Sequence, residues 1–383
     1  MKYLVVLGDG MADEPILELG NRTPLAYANT PNMDRIAREG RTGQVLTIPD
    51  GFEAGSDIAN LTILGYHPAQ YYTGRGPLEA VNMGVDLTDD QIAYRCNLVT
   101  IKDGVMQDFS AGHISSAEGG ALLRTLQEQV PEVRLVAGVS YRNLLVVDGG
   151  KGAGGTAPHD IVGEEIEQYL PHGGDASLLR ICMEKSIEVF TDHPVNRARL
   201  ARGLPAATMI WPWSGGKRPA LAPFLEKYGK RGGMISAVDL LNGIARYAGM
   251  EVITVPGATG YLDTDYQAKA RYAIDALKDL DFLYLHVEAP DEAGHLGSVS
   301  EKVKAIERVD QMIGTIMAGF NGVIAVLPDH ATPIRLKTHT AGPVPCAVLG
   351  KGKDQTEVFS EDAAAAGSLG KIQGDQFLMN LFT

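Results

Sequence analysis

Phe282-Leu283-Tyr284-Leu285-His286-Val287 is followed by Glu288-Ala289-Pro290-Asp291 and, four residues past that aspartate, by His295. The first six residues make a largely apolar run of strand length, and the run hands over to a carboxylate and an imidazole. Two other stretches repeat the pattern. Leu4–Leu7 leads to Asp9, and Val323–Leu327 leads to Asp329-His330, with His339 following in a loop. The carboxyl ends of strands line the ligand crevice of open α/β sheets, so three separate segments would deliver these groups to one sheet edge. Between the strand-like runs lie segments of helical period. Val303, Ile306, Val309, Ile313 and Ile316 recur at helical spacing, which marks one face of a long helix as core. Thr30-Pro31 reads as an N-cap and first position of a shorter helix. The alternation predicts an α/β fold with a doubly wound, mostly parallel sheet.

The middle of the chain breaks this rhythm. Ile92–Ile101, the turn Lys102-Asp103-Gly104, Val133–Val139 and Asn143–Val147 suggest short antiparallel strands. The expectation is a smaller α+β lid domain, residues 76–204, inserted into a catalytic domain formed by residues 1–75 and 205–383.

Composition narrows the function. The chain has 383 residues, 45% hydrophobic and 21% charged, ordinary values for a globular protein of one large or two smaller domains. No apolar run approaches the ~20 residues that span a bilayer. Met1–Leu7 has neither a basic region nor a small-residue cleavage site, so no signal peptide is expected. Cys96, Cys182 and Cys346 are odd in number and scattered, which favours a reducing cytoplasm over a disulfide framework. A formal net charge of −13 argues against a nucleic-acid partner, which needs an extended basic surface. A small anionic substrate stays compatible if cations gather locally in a cleft.

Asp and His together suit Zn²⁺ or Mn²⁺ better than Ca²⁺. Taken singly, Asp9 and Asp329 could cap turns and the histidines could be surface residues; their shared position after strands favours ligation. Ser56 stands in Gly51-Phe52-Glu53-Ala54-Gly55-Ser56-Asp57, ahead of an apolar helix running to Leu64. It could be an N-cap. It could equally be a nucleophile, because a helix N-terminus and an adjacent dication favour the alkoxide and present N–H groups to a phosphate. Gly152-Ala153-Gly154-Gly155-Thr156-Ala157 matches a loose dinucleotide pattern, but Pro158 stands where the helix would continue. His67, His159, His172, His193 and His286 have no partners visible in sequence and read as structural or exposed. Trp211-Pro212-Trp213 is a core wedge or a pocket wall.

Gly8-Asp9-Gly10, Gly55-Ser56-Asp57, Ala289-Pro290-Asp291-Glu292-Ala293-Gly294-His295, Pro328-Asp329-His330 and Lys337-Thr338-His339 together resemble the motifs of the alkaline phosphatase superfamily. Within it the chain is similar to the cofactor-independent phosphoglycerate mutases of the archaeal type. Thr30-Pro31-Asn32-Met33-Asp34, Ser110-Ala111-Gly112-His113 and Gly257-Ala258-Thr259-Gly260 extend the resemblance over essentially the whole chain. It implies two divalent metal ions, Mn²⁺ first, with Zn²⁺, Co²⁺ or Mg²⁺ as alternatives. One would be held by Asp291, His295 and His339, the other by Asp9, Asp329, His330 and the Ser56 oxygen.

The resemblance further implies that Ser56 takes up a phosphoryl group from a small phosphorylated anion, splitting one transfer into two. His113 is the expected general acid and base and, with Arg142, the expected substrate contact. Arg197, Arg199 and Lys217 are further substrate-binding candidates, although the two arginines also fit a solvated helix face. The lid would exclude water from the transfer. The implied enzyme is an isomerase that interconverts 3-phosphoglycerate and 2-phosphoglycerate. One departure opens an alternative. Ile210–Lys217 lacks an arginine expected near this point, and lysine does not reproduce a bidentate guanidinium. With His193-Pro194-Val195-Asn196, this resembles a sub-branch proposed to phosphorylate homoserine. A simple phosphatase would gain nothing from a lid, and a non-catalytic binding module would not need the full ligand set. The oligomeric state is left open.

Overall fold

The computed structural model describes all 383 residues. They fall into two compact units, Met1–Tyr72 with Ala220–Thr383, and Thr73–Pro219. Thirteen strands are numbered in chain order: β1 (Tyr3–Gly8), β2 (Arg41–Leu46), β3 (Ile92–Lys102), β4 (Val105–Asp108), β5 (Arg134–Val136), β6 (Arg142–Val147), β7 (Met209–Gly216), β8 (Gly232–Ile235), β9 (Glu251–Val252), β10 (Phe282–Val287), β11 (Val323–Leu327), β12 (Pro343–Leu349) and β13 (Gly370–Gln373).

The first unit is built on an eight-stranded sheet ordered β13-β2-β12-β11-β1-β10-β8-β9. β1 lies between β10 and β11 and parallel to both, with Val5 opposite Tyr284 on one side and Ala325 on the other. Only β12 runs against its neighbours, β11 and β2. Every residue of β1, β10 and β11 is buried, so these strands read as continuous apolar runs rather than alternating ones. Leu4, Val6, Leu285, Ile324 and Val326 share a core with Ile306, Val309, Ile313 and Ile316 of the helix Val299–Gly319. Val303 is only half-buried, and its neighbour Lys302 is the buried one.

Pro31 opens the helix Pro31–Glu39 with Thr30 at the N-cap position, but the Thr30 side chain makes no capping bond. Asp310, from the long helix, accepts from the backbone N–H groups of Asn32 at 2.9 Å and Met33 at 2.7 Å. A distant carboxylate therefore satisfies the donors that the threonine was expected to satisfy.

In the second unit β3 pairs antiparallel with β4, β6 and β7, and β5 pairs with β6. This unit runs past residue 204 because β7 belongs to its sheet. Tyr94, Leu98, Leu122, Leu126, Phe190, Ile210 and Trp211 form a core of its own. Cys96, Cys182 and Cys346 are buried and unpaired. No helix is long and apolar enough to cross a membrane.

Candidate metal centre

β1, β10 and β11 are adjacent and parallel, so their carboxyl ends open on one edge of the sheet. Asp9 follows β1 directly, and its N–H donates to Val287 O at the end of β10 at 2.9 Å. Asp329-His330 follow β11. The helix Ala289–Leu296 begins just after β10 and sets Asp291 and His295 one turn apart on the same face. There His295 Nε2 lies 3.1 Å from Asp291 Oδ2. His339 arrives on a loop pinned by the Thr340 N–H, which donates to Ala331 O at 3.0 Å. Asp9, Asp329 and His330 offer ligand atoms within 4.8 Å of one another, and so do Asp291, His330 and His339. His330 belongs to both groups, and His295 Nε2 is 3.0 Å from His339 Nε2.

Ser56 is the first residue of the helix Ser56–Ile63, and Gly55 is the N-cap. The capping reading of Ser56 is therefore overturned. Its hydroxyl stands 3.1 Å from His330 Nε2 and donates to Asp9 Oδ2 at 3.4 Å. One turn on, Asn60 Nδ2 donates to Ser56 O at 2.8 Å and to Asp329 Oδ2 at 2.9 Å. The other oxygen of Asp329 accepts from the N–H groups of Gly10 and His330. Gly10 has a φ of +58°, and a Cβ there would stand 2.6 Å from Asp291 Oδ1, so no other residue fits.

Burial raises the Asp9 carboxyl well above the usual range, and the nearby Asp329, Glu288 and Asp291 push it further. Burial likewise lifts Glu288 to about 8. Burial opposes ionisation of Asp291 as well, but hydrogen bonds from His295 and His339 outweigh it and hold that carboxyl well below its usual value. The Asp291 contact raises His295 to about 9. Burial lowers His330, which favours its neutral form, although the nearby Asp329 and Asp291 act the other way. Asp9 Oδ1 and Glu288 Oε2 are buried without a hydrogen-bond partner. Crowded carboxylates with an orphaned oxygen, beside a neutral imidazole, are a donor set that fits divalent cations.

Several contributors were hidden in the sequence. His286, expected to be structural or exposed, is fully buried, with Nε2 2.8 Å from Asp9 Oδ2 and Nδ1 3.2 Å from Ser236 Oγ. An imidazole inside an otherwise apolar strand was the available signal. Thr332 donates its hydroxyl to Asp291 Oδ1 and lies 3.3 Å from His330 Nδ1. Nothing in the local pattern singles out Thr332 or Asn60.

In the second unit His113 is exposed and ends a turn in which Ala111, Gly112 and His113 have φ of 49°, 64° and 47°. Left-handed backbone is costly at the two non-glycine positions, Ala111 and His113. Asp108 accepts from the N–H groups of Ser110 and Gly112. Arg199 is not on a solvated face. It is 2% exposed and donates to Ala111 O, Pro205 O and Glu118 Oε2, which spends its guanidinium on holding this turn. Arg197 and Lys217 are exposed, the latter just past β7. Arg142 is exposed too, its guanidinium carbon 5.2 Å from the Tyr141 ring centre. Trp213 is buried, donates to Asn97 Oδ1 and carries the Arg95 guanidinium 4.4 Å above its ring. Gly152–Ala157 leads into a short 3₁₀ turn, Pro158–Ile161, and not into a dinucleotide-type helix.

A family profile described as 2,3-bisphosphoglycerate-independent phosphoglycerate mutase matches residues 37–196. A protein of that name from Methanothrix thermoacetophila is 48% identical, with 99% of this chain and 98% of that protein aligned. A second, from Methanothermobacter thermautotrophicus, is 50% identical over 99% of this chain and 96% of its own length. Among solved structures, the cofactor-independent phosphoglycerate mutase of Thermoplasma acidophilum superposes with a TM-score of 0.68 at 29% identity, covering 100% of both chains.

Proposed function

Because the chain belongs to the 2,3-bisphosphoglycerate-independent phosphoglycerate mutase family, we propose that it interconverts 3-phosphoglycerate and 2-phosphoglycerate through a phosphoserine at Ser56. One observation carries the reading. The Ser56 hydroxyl makes no capping bond and is aimed between Asp9 and His330 at a helix N-terminus. Asp291, His295 and His339 would hold one divalent ion, and Asp9, Asp329, His330 and Ser56 Oγ the other, with Mn²⁺ the leading species. When bound, the pair would supply electrostatic stabilisation of the serine alkoxide and the transferring oxygens.

The chain's own groups account for the remaining steps. Ser56 sheds its hydroxyl proton to solvent when the site is loaded, and its Oγ bonds to phosphorus as the substrate's P–O ester bond breaks; the glycerate oxygen that leaves takes a proton and becomes a hydroxyl. His113 is the proposed donor. On return the same imidazole accepts the proton of the other hydroxyl, which recovers the phosphoryl group. The Asp108–Arg199 brace holds the turn that carries His113, and Arg142 and Arg95 are the proposed contacts for the substrate's anionic groups. Arg95 lies opposite Trp213 on the adjoining strand, with its Nε 3.0 Å from Glu79 Oε1. The comparisons lend the homoserine alternative no support, and it is set aside. The setting proposed for the enzyme is cytoplasmic, and the insert is proposed to exclude water during transfer.

The test is a coupled assay of the Mn²⁺-loaded protein with 3-phosphoglycerate and no added bisphosphoglycerate. Interconversion is expected, and Ser56→Ala should abolish it while changing stability by less than about 0.5 kcal/mol. A metal-loaded protein without interconversion, or a Ser56→Ala variant near the parent rate, would sink the reading.

A further inference from the structure

We propose that Lys302 and Thr332 form a buried strap that positions both halves of the metal centre and fixes the ring tautomer of His330. The inference rests on the two-cation reading above. Lys302 lies on the core face of the helix Val299–Gly319 and is wholly buried. A buried ammonium is costly unless each of its three N–H groups finds a partner. Here all three do. Lys302 Nζ donates to Ala12 O at 3.1 Å, to Thr332 O at 2.8 Å and to Asp13 Oδ2 at 2.6 Å. Ala12 follows Asp9 on the β1 loop and Thr332 follows His330 on the β11 loop, so one ammonium ties together two ligand-bearing loops. Asp13 Oδ2 also accepts from the Ile334 N–H at 3.2 Å, closing the strap.

Thr332 carries the link on to the third segment. Its single hydroxyl hydrogen goes to Asp291 Oδ1, so toward His330 Nδ1, at 3.3 Å, the oxygen acts as acceptor. His330 Nδ1 must then bear the proton. That leaves the Nε2 lone pair facing Asp9, Asp329 and Ser56, the tautomer that a cation requires. The packing leaves no slack, because a Cβ on Gly294 would stand 2.6 Å from Thr332 O. Lys302 and Thr332 are positioning residues in this account: Thr332 touches a ligand of each cation, Lys302 holds the loops that carry them, and neither touches a cation.

The experiment is calorimetric titration of Mn²⁺ into the chelator-treated full chain, with thermal melting of each metal-free protein alongside. Thr332→Val is expected to weaken Mn²⁺ binding by on the order of 10–100-fold, and Thr332→Ser to restore it. Lys302→Met alone would strand the Asp13 carboxylate, so Lys302→Met with Asp13→Asn removes the pair together. This double variant should remain folded by circular dichroism and also bind Mn²⁺ more weakly. Affinities within about threefold of the parent in both Thr332→Val and the double variant would overturn the strap, whatever their melting temperatures. A parent protein that takes up no dication would sink the two-cation reading and the strap with it. Parent binding with unchanged variants would sink the strap alone.

Discussion

Tyr284 sits in the middle of β10, fully buried, and its hydroxyl donates to Asn60 Oδ1 at 2.7 Å. Asn60 in turn holds the Ser56 carbonyl and Asp329. A strand residue thus steadies both the helix that begins at Ser56 and the Asp329 carboxylate. Tyr284→Phe leaves the Asn60 oxygen buried without a donor, and a loss of about 1–3 kcal/mol is expected in urea unfolding. A loss below about 0.3 kcal/mol would mean that Asn60 finds another partner. His295 makes a prediction in pH. Its hydrogen bond with Asp291 raises it to about 9 in the metal-free protein, and a cation takes only the neutral ring, so binding below that pH displaces a proton. Mn²⁺ affinity should therefore climb with pH, by up to about tenfold per unit, and level off above about 9. The sign for the metal-free fold is opposite. Stability contributed by the raised group is fully present below its unfolded value of 6.5 and is lost as pH rises through about 9. An affinity flat across this range would remove His295 from the ligand set.

Among the helices, Pro31–Glu39 has its first N–H groups satisfied by Asp310, a residue 1% exposed on another helix. Asn32 Nδ2 adds a third bond to Asp310 Oδ2 at 2.8 Å. Asp310→Ala is expected to cost about 1–3 kcal/mol, since it strands buried donors. Thr30→Ala, at the formal N-cap, should cost less than about 0.5 kcal/mol, because no capping bond is lost. Equal losses in the two variants, measured by chemical denaturation, would refute the assignment of the cap to Asp310. Elsewhere the helix Ala289–Leu296 could not seat Asp291 and His295 without Gly294, whose missing Cβ lets the backbone approach Thr332.

For the whole molecule, the two units carry separate hydrophobic cores, and every candidate metal ligand lies in the first. The chain's 2 tryptophans, Trp211 and Trp213, both lie in the second. Tryptophan fluorescence is thus a private reporter of Thr73–Pro219. Restoring Mn²⁺ to the chelated protein at a hundredfold excess over Kd should stabilise the first unit by about 2.7 kcal/mol for each ion bound. That shift should appear in far-ultraviolet circular dichroism and be much smaller in the tryptophan-monitored transition. An equal shift in both signals would mean that the units unfold as one.

The strands β1, β10 and β11 and the candidate ligands that follow them were legible in the sequence because each candidate is covalently close to its strand. A buried parallel strand needs an unbroken apolar run, and that requirement is local. The doubly wound sheet follows from the same local periodicity. Which buried polar groups meet is not a local property. Lys302 was masked by the period that marked Val303 as core; His286 gains its role from Asp9, 277 residues away. Asp310 caps a helix 278 residues distant, and Arg199, in sequence either a substrate contact or part of a solvated face, is enclosed by Glu118 and the 111–112 carbonyls. Whether Ser56 caps its own helix also waited on the fold, because a hydroxyl chooses between a local N–H and whatever other segments bring within reach. Hydrophobic burial is written residue by residue along the chain, whereas the partners of a buried hydrogen-bonding group exist only once distant segments have converged.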